Sequence, residues 1–332
     1  MTQSATLEKP AAVYSTVSEE NIATTQGTGI SDRSHLTRLK VTGADGIDLL
    51  NRLSTNKLDD LEVGDVQGTV LTTNKGRIID LLYVLRQEDH LLVITSPDTR
   101  EKVSEWIDFY TFIEDVVVED VSEATAMLSV VGPKASNALT SLADVPPYGS
   151  AALTIGEVDA LALRTDFAGI ESYDIIASAQ DRNALWETLT DLNAVPVGNE
   201  ALELVRIEQG IAGYDGELCE DYNPLEAGLK DFISFNKGCY IGQEVVARLN
   251  TYDKVQKHLV RLSWNGEAVP ELPVALTHEG RQVGTLTSAT KMLNGDGHTG
   301  LGYIRKAHVQ EGIQLLSEGG LEVVVEVIPQ HE

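Results

Sequence analysis

Nine consecutive residues, Asn236-Lys237-Gly238-Cys239-Tyr240-Ile241-Gly242-Gln243-Glu244, place a thiol, an ammonium, a phenol, an amide and a carboxylate in one short window. From Gly242 onward, Val245, Val246 and Leu249 recur at helical spacing and Asn250 supplies a stop. Cys239 therefore belongs to the turn ahead of a helix N-terminus, where backbone amides and Lys237 both favour thiolate over thiol. Two readings follow from these residues. Either the cysteine is reactive, or it is an inert thiol packed into a glycine-rich turn.

Four other places carry candidate chemistry. In Asn74-Lys75-Gly76-Arg77-Ile78-Ile79-Asp80, a glycine turn feeds an apolar strand that holds one carboxylate among Ile78, Ile79, Leu81 and Leu82. A carboxylate in such a run is costly unless it is paired, functional or turned to the solvent side of a half-buried strand. Arg206 sits among apolar helix residues, and Glu208 is a poor partner because residues two apart do not face each other on a helix. Arg164 to Tyr173 reads as a polar hairpin, and Gly284 to Ser288 as a turn. Between 237 and 261 the chain carries Lys237, Arg248, Lys254, Lys257 and Arg261 against only Glu244 and Asp253. That stretch is a solvated helix face or a site for a phosphate, a polyglutamate tail or an acidic partner.

The elements that must position these groups are legible in outline. Residues 1–29 are polar and aperiodic and are expected to form a loosely ordered leader. A first α+β region, 30–148, has strands at 36–41, 67–73, 78–85, 91–96 and 126–131, and helices after Thr42 and over 98–110. A second, 149–254, follows the turn-rich Pro146-Pro147-Tyr148-Gly149. It has strands at 152–155, 159–165 and 173–177, a helix from Asp181, and another over 199–209 that ends at Gly210. From 255 to 332 short strands alternate with Gly-, Pro- and Asn-rich turns, which predicts a small all-β barrel. The irregular alternation before it points to α+β rather than a doubly wound sheet.

Composition bounds the function. The formal charge of −26 over 332 residues argues against general binding to nucleic acid or anionic membrane. No apolar run approaches the ~20 residues of a membrane span, and the N-terminus lacks the layout of a secretory signal or presequence. A cytoplasmic protein is expected. Cys219 and Cys239 are not in metal-ligand spacing, and the seven histidines show no close pairing, so no metal site is expected.

Lys237-Gly238-Cys239-Tyr240-x-Gly242-Gln243-Glu244 resembles the signature of the folate-binding YgfZ family, iron–sulfur cluster assembly and repair factors related to the glycine cleavage T-protein (aminomethyltransferase). The resemblance extends from about residue 30 to 330. It includes Leu39-x-Val41-Thr42-Gly43, Leu50-x-x-Leu53-Ser54-Thr55-Asn56, Gly76-Arg77-Ile78-Ile79-Asp80, Arg206-Ile207-Glu208-x-Gly210, Val283-Gly284-x-x-Thr287-Ser288 and Leu301-Gly302-Tyr303-Ile304. It implies a three-part cloverleaf of T-protein type, with an α+β body, a C-terminal β-barrel and a central folate channel. The chain departs from T-proteins in three places. Their tandem aspartates meet Asp80-Leu81, their Tyr-Thr-Gly-Glu run meets Phe167-Ala168-Gly169-Ile170, which moves the pterin-reading acid to Glu171, and their Ser-Asn meets Thr95-Ser96.

The leading expectation is thus a tetrahydrofolate-binding protein acting in iron–sulfur cluster assembly or repair, with iron–sulfur carriers or clients as partners. Asp80, Arg206, Glu171, Tyr240, Gln243 and Glu244 would hold the cofactor, and Cys239, Lys237 and Asp80 would carry the chemistry. The alternative is a tetrahydrofolate-dependent aminomethyl- or methyltransferase. A scaffold for acidic partners, without folate, is a third reading.

Overall fold

The computed structural model describes residues 10–214, 216–266 and 269–328, and the chain divides into two compact units. The first comprises 1–51, 57–69 and 82–202, the second 52–56, 70–81 and 203–332. The spans 30–148 and 149–254 expected from sequence each contribute to both units.

The first unit opens with helix α1 (Val17–Gln26), where the sequence predicts loose order. Its polar residues are used rather than solvated. Thr16 caps the helix through Glu19 N, and the buried Glu20 carboxylate accepts from Tyr14 N, Ser15 N and Gly198 N at 2.6–2.8 Å. Residues 1–9 of the expected leader lie outside the described residues.

Two sheets follow. One has the order β11-β1-β7-β10-β9-β8, formed by β1 (Gly29–Asp32), β7 (Thr125–Val131), β8 (Ser150–Ile155), β9 (Val158–Arg164), β10 (Ser172–Ser178) and β11 (Val195–Pro196). Its pairs are antiparallel except β1 with β11. One face packs Ile30, Leu128, Val130, Tyr173 and Ile175 against Leu185 and Leu189 of α5 (Arg182–Asp191). The other sheet has the order β3-β4-β5-β2-β6: β2 (Thr37–Thr42), β3 (Val66–Thr72), β4 (Ile78–Arg86), β5 (Leu91–Thr95) and β6 (Val117–Asp120). Helices α2 (Gly46–Leu53), α3 (Arg100–Phe109), the short α4 (Ala135–Ala138) and α6 (Asn199–Glu208) complete the body. In α3 only Val103 and Ile107 are buried; Trp106 and the following Tyr110 are half-buried in an aromatic cluster with Phe109.

The second unit holds α7 (Gln243–Thr251) and a closed barrel, β12-β15-β14-β13-β16-β17. Its strands are β12 (Lys257–Asn265), β13 (Val274–His278), β14 (Arg281–Lys291), β15 (Gly297–Arg305), β16 (Gln314–Ser317) and β17 (Glu322–Glu326). The barrel interior is apolar: Val260, Leu262, Trp264, Leu276, Leu286, Ile304 and Val325 among others. Gly284 to Ser288, read from sequence as a turn, lies inside β14. The register slips between Leu286 and Ser288, leaving Thr287 as an inserted residue. Among the described residues, no helix is long and apolar enough to cross a membrane.

One buried group in the first unit makes the fold sensitive to acid. Burial and the neighbouring Arg33 charge push His35 down to about 4, and its Nδ1 has no hydrogen-bond partner among the described residues. The unfolded chain then binds the extra proton between about pH 4 and 6.5, so stability falls as pH drops through that window. The full effect is about 3 kcal/mol at 1.36 kcal/mol per unit. His35→Gln should flatten the pH dependence of the urea midpoint there; a slope equal to wild type would show that His35 is not the titrating group.

Candidate functional site

The two sequence motifs with the most chemistry meet in the second unit. The turn Thr73 to Arg77 is closed by Thr73 N to Arg77 O at 2.9 Å and Gly76 N to Thr73 O at 2.9 Å. Gly76 has φ +65, and a Cβ there would lie 3.2 Å from Val245 Cβ and Val246 Cγ2 of α7. Gly242 has φ +86, and its Cβ would fall 2.6 Å from Thr73 O and 3.0 Å from Gly76 Cα. Gly242 is needed because the backbone of the 73–77 turn is already there, and Gly76 because its positive φ and the side chains of α7 leave a Cβ little room. Thr72 Oγ1 donates to Ile241 O at 2.7 Å, and Ile241 N to Arg52 O at 2.9 Å, which stitches the loop to residues 52–56 and 70–81.

Within this loop the side chains divide into structural and available groups. Lys237 is buried; its ammonium donates to the carbonyls of Ser54, at 3.0 Å, and Asn56, and lies 5.4 Å from the Tyr240 ring centroid. These contacts make Lys237 a clamp on the 54–56 backbone, a different employment from the thiolate partner expected. Tyr240 is buried, which pushes its phenol up to about 12. Gln243 Nε2 reaches back to Gly238 O at 3.4 Å. Cys239 and Glu244 are exposed, so the reading of Cys239 as a thiol packed into the turn is overturned. Gly238 is exposed too, and a Cβ there would meet nothing within 4 Å, so packing does not require glycine.

Asp80 lies on β4 and is fully buried; the solvent-facing option for this strand position does not hold. Leu81 N donates to its Oδ1 at 2.8 Å. The neighbouring apolar core of this unit contains Val70, Ile78, Ile207, Leu218, Tyr222, Leu301 and Tyr303, with the Tyr222 and Tyr303 rings stacked at 3.4 Å.

Arg206 is engaged otherwise than expected. Its Nε donates to Glu203 Oε2 at 2.8 Å, Nη1 to Ile211 O at 2.6 Å and Glu217 Oε2 at 2.9 Å, and Nη2 to Glu203 Oε1 and to Ser288 Oγ at 2.9 Å. All five N–H donors are used. Burial opposes its charge, but hydrogen bonds and charge from Glu203 and Glu217 override that and hold it above the usual arginine range. Arg206 therefore has no donor left for a pterin. Glu217, fully buried, also accepts from Gly213 N at 2.9 Å, from Thr287 Oγ1, and from Ser288 Oγ at 2.7 Å. The inserted residue in β14 explains how two consecutive hydroxyls reach one carboxylate. A Cβ on Gly213 would sit 2.6 Å from Arg206 Cζ, so this position must be glycine.

The remaining expected residues are dispersed. Glu171 belongs to the first unit, where its carboxylate accepts from Ser136 N at 2.9 Å. Of the basic stretch, Arg261 pairs with Glu326 at 2.8 Å, while Lys257 and Lys254 lie over the rings of Tyr222 and Tyr252.

The family model described as "GCVT N-terminal domain" matches residues 1–237. The chain belongs to this family. Its similarity to individual GCVT relatives extends past that match. It is 33% identical over 316 residues to "Putative transferase At1g60990, chloroplastic" of Arabidopsis thaliana, covering 91% of this chain and 71% of that protein. With an "Aminomethyltransferase" of Halalkalibacterium halodurans it shares 28% identity over 325 residues, 95% of this chain and 86% of the other. The crystal structure of the glycine cleavage system aminomethyltransferase T from Bartonella henselae superposes with a TM-score of 0.82 at 20% identity, covering 95% and 90% of the two chains. The fold is thus of T-protein type, with a mixed α and β body and a closed six-stranded barrel.

Within this GCVT fold, sequence reasoning missed Glu217. The signal was present: Gly213-Tyr214-Asp215-Gly216-Glu217 sets two acids among two glycines, and Glu217 stands directly before Leu218 and Cys219. Glu217→Leu leaves Arg206 buried with a partner missing and should cost about 3–5 kcal/mol. The double variant Arg206→Met/Glu217→Leu should be more stable than Glu217→Leu alone, read from urea midpoints. Equal loss in single and double variants would show that the pair is not coupled.

Proposed function

We propose that this chain binds tetrahydrofolate and transfers a one-carbon unit between it and an amine-type donor, as an aminomethyl- or methyltransferase. Membership of the GCVT family and likeness to proteins named aminomethyltransferases support this reading. The observation that carries it is Asp80: a fully buried carboxylate on an apolar strand, in the same unit as the Lys237–Glu244 loop. A carboxylate withheld from water in this way is suited to hold the protonated or amide-like edge of a planar pterin. Tetrahydrofolate, when bound, supplies the nitrogens that carry the one-carbon unit.

The residues of this chain fit that cofactor in part. Asp80 supplies a buried acceptor that can hold or move a proton at its carboxylate. Tyr240, buried and kept neutral, offers an aromatic face, and Gln243 and Glu244 begin the helix beside it. Lys237 positions the loop through Ser54 and Asn56. Arg206 is assigned to holding α6 against the barrel. The second carboxylate that T-proteins carry is Leu81 here, so proton transfer rests on Asp80 alone. Calorimetry should show tetrahydrofolate binding to the wild type and at least tenfold weaker binding to Asp80→Asn, about 1.4 kcal/mol or more. Absence of heat with the wild type would sink the reading.

One observation favours a second reading, action in iron–sulfur cluster assembly or repair with Cys239 as the contact. Cys239 is exposed, and it adjoins a glycine that packing does not require. An accessible thiol ahead of a helix N-terminus can meet a cluster carrier, whereas a sequestered one cannot. Cys239→Ala in cells should then lower the activity of cluster-dependent enzymes while tetrahydrofolate affinity stays within twofold. Full activity of those enzymes would leave the thiol without a role.

A further inference from the structure

The histidines are scattered along the sequence, but the barrel brings two of them together. His278 ends β13, and His308 ends the single 3-10 turn Lys306–His308 that follows β15. Their imidazole rings meet edge to face, with centroids 5.4 Å apart and planes at 66°. Both residues are half-buried, and neither has an ion-pair partner among the described residues.

Rigid neighbours hold each ring. β13 and β14 are joined by Glu279 and Gly280, whose φ of +50 and +74 are the positive pair that a type I′ hairpin turn requires. On its other side β13 pairs with β16, and Thr277 Oγ1 donates to Leu316 O at 2.9 Å. His308 is fixed from the backbone: Gln310 N donates to its carbonyl at 3.1 Å, and Val309 packs against the barrel core.

The ring nitrogens are unequally satisfied. His278 Nδ1 lies 3.2 Å from Gln314 O. A carbonyl can only accept, so Nδ1 carries the proton and, in the neutral ring, Nε2 keeps its lone pair. A backbone carbonyl behind one ring nitrogen is the usual support for a histidine that ligates a metal through the other. His308 Nδ1 is buried and has no hydrogen-bond partner among the described residues. A buried polar atom of this kind calls for a partner, and an ion is one that suits a bare imidazole nitrogen.

We propose that His278 Nε2 and His308 Nδ1 form a binding site for a divalent late transition-metal ion of the Zn²⁺ and Ni²⁺ class. Imidazole nitrogens hold Zn²⁺ at about 2.0–2.1 Å, which on a tetrahedral ion sets two ring centroids about 5 Å apart. The observed 5.4 Å is therefore within reach of small ring rotations on a fixed backbone. Hard cations such as Mg²⁺ prefer carboxylate and water, so an imidazole pair selects against them. Among the described residues no third His, Cys, Asp or Glu completes the set, which leaves the remaining positions to water. That open coordination, with Arg281 opposite His278 in the β13–β14 register, makes the ion exchangeable rather than a structural centre. The site lies wholly in the second unit and uses no residue of the tetrahydrofolate reading.

Calorimetry on the full-length protein in excess Mg²⁺ tests it, with Zn²⁺ and Ni²⁺ as titrants. Mg²⁺ occupies the general carboxylate surface, and a single Zn²⁺ or Ni²⁺ should still bind. His278→Ala and His308→Ala should each weaken that binding by about tenfold or more. The double variant should lose no more than either single one, because one imidazole alone makes no chelate. In the wild type, Zn²⁺ should shield His278 and His308 together from diethyl pyrocarbonate while His90 keeps reacting. Binding at the exposed Cys239 instead would leave both rings reactive and overturn the proposal. Displacement of the bound ion by Mg²⁺, or an unaltered isotherm in a folded single variant, overturns it too. The wild-type footprint needs no substitution, so misfolding of a variant leaves the test decisive.

Discussion

The buried pair of Arg206 and Glu217 is the constraint on which the second unit depends. An ion pair taken out of water is stable only when every remaining donor and acceptor is also met. Here that requirement recruits α6, the Gly213–Glu217 turn and the irregular stretch of β14. Tyr303 Oη adds a bond to Glu217 O at 2.9 Å, extending the arrangement to β15. Half-meeting such a network costs more than omitting it, so its parts are kept or lost together. Helix, turn and barrel strands are therefore held in one arrangement by polar chemistry as much as by the apolar core of Ile207, Leu218 and Leu301.

This also separates residues that are chemically conspicuous from those that are chemically available. Arg206 looked like a ligand-binding group because it is a charge among apolar neighbours, and Lys237 like a catalytic one because it stands two residues before a thiol. The same surroundings that make a charge conspicuous also oblige the fold to satisfy it internally. Arg206 is satisfied by two glutamates, a carbonyl and a serine, and Lys237 by two carbonyls and a tyrosine face. What stays exposed in the loop is Cys239, with Glu244.

Much of the fold was legible in the sequence, for physical reasons that vary by element. The amphipathic helices α5 and α6 and the apolar strands β4, β5 and β7 carry their periodicity openly. The helix after Gly242 was legible because Val245, Val246 and Leu249 keep one face. Helix α1 was not, since its order comes from Glu20 accepting three backbone N–H groups, one of them 178 residues away in sequence. Strand β16 is too short to show alternation, and β14 conceals its irregularity in a run of small residues that resembles a turn. In the site, the meeting of Gly76 with Gly242 was not legible, because two glycines say nothing about which neighbour each must admit.

The interleaved construction of the second unit has a consequence for how the protein is made. Its early segments, 52–56 and 70–81, pair with each other but take further partners from sequence that arrives much later: Thr72 bonds to Ile241, 169 residues on. On a ribosome releasing the chain from its N-terminus, the strand bearing Asp80 must wait, incomplete, until the loop and barrel emerge. Contacts of such long range slow assembly and lengthen the exposure of apolar strand surface. A chain cut short before the Lys237–Glu244 loop would therefore fail at both ends, losing the loop itself and leaving Thr72 without its acceptor on Ile241.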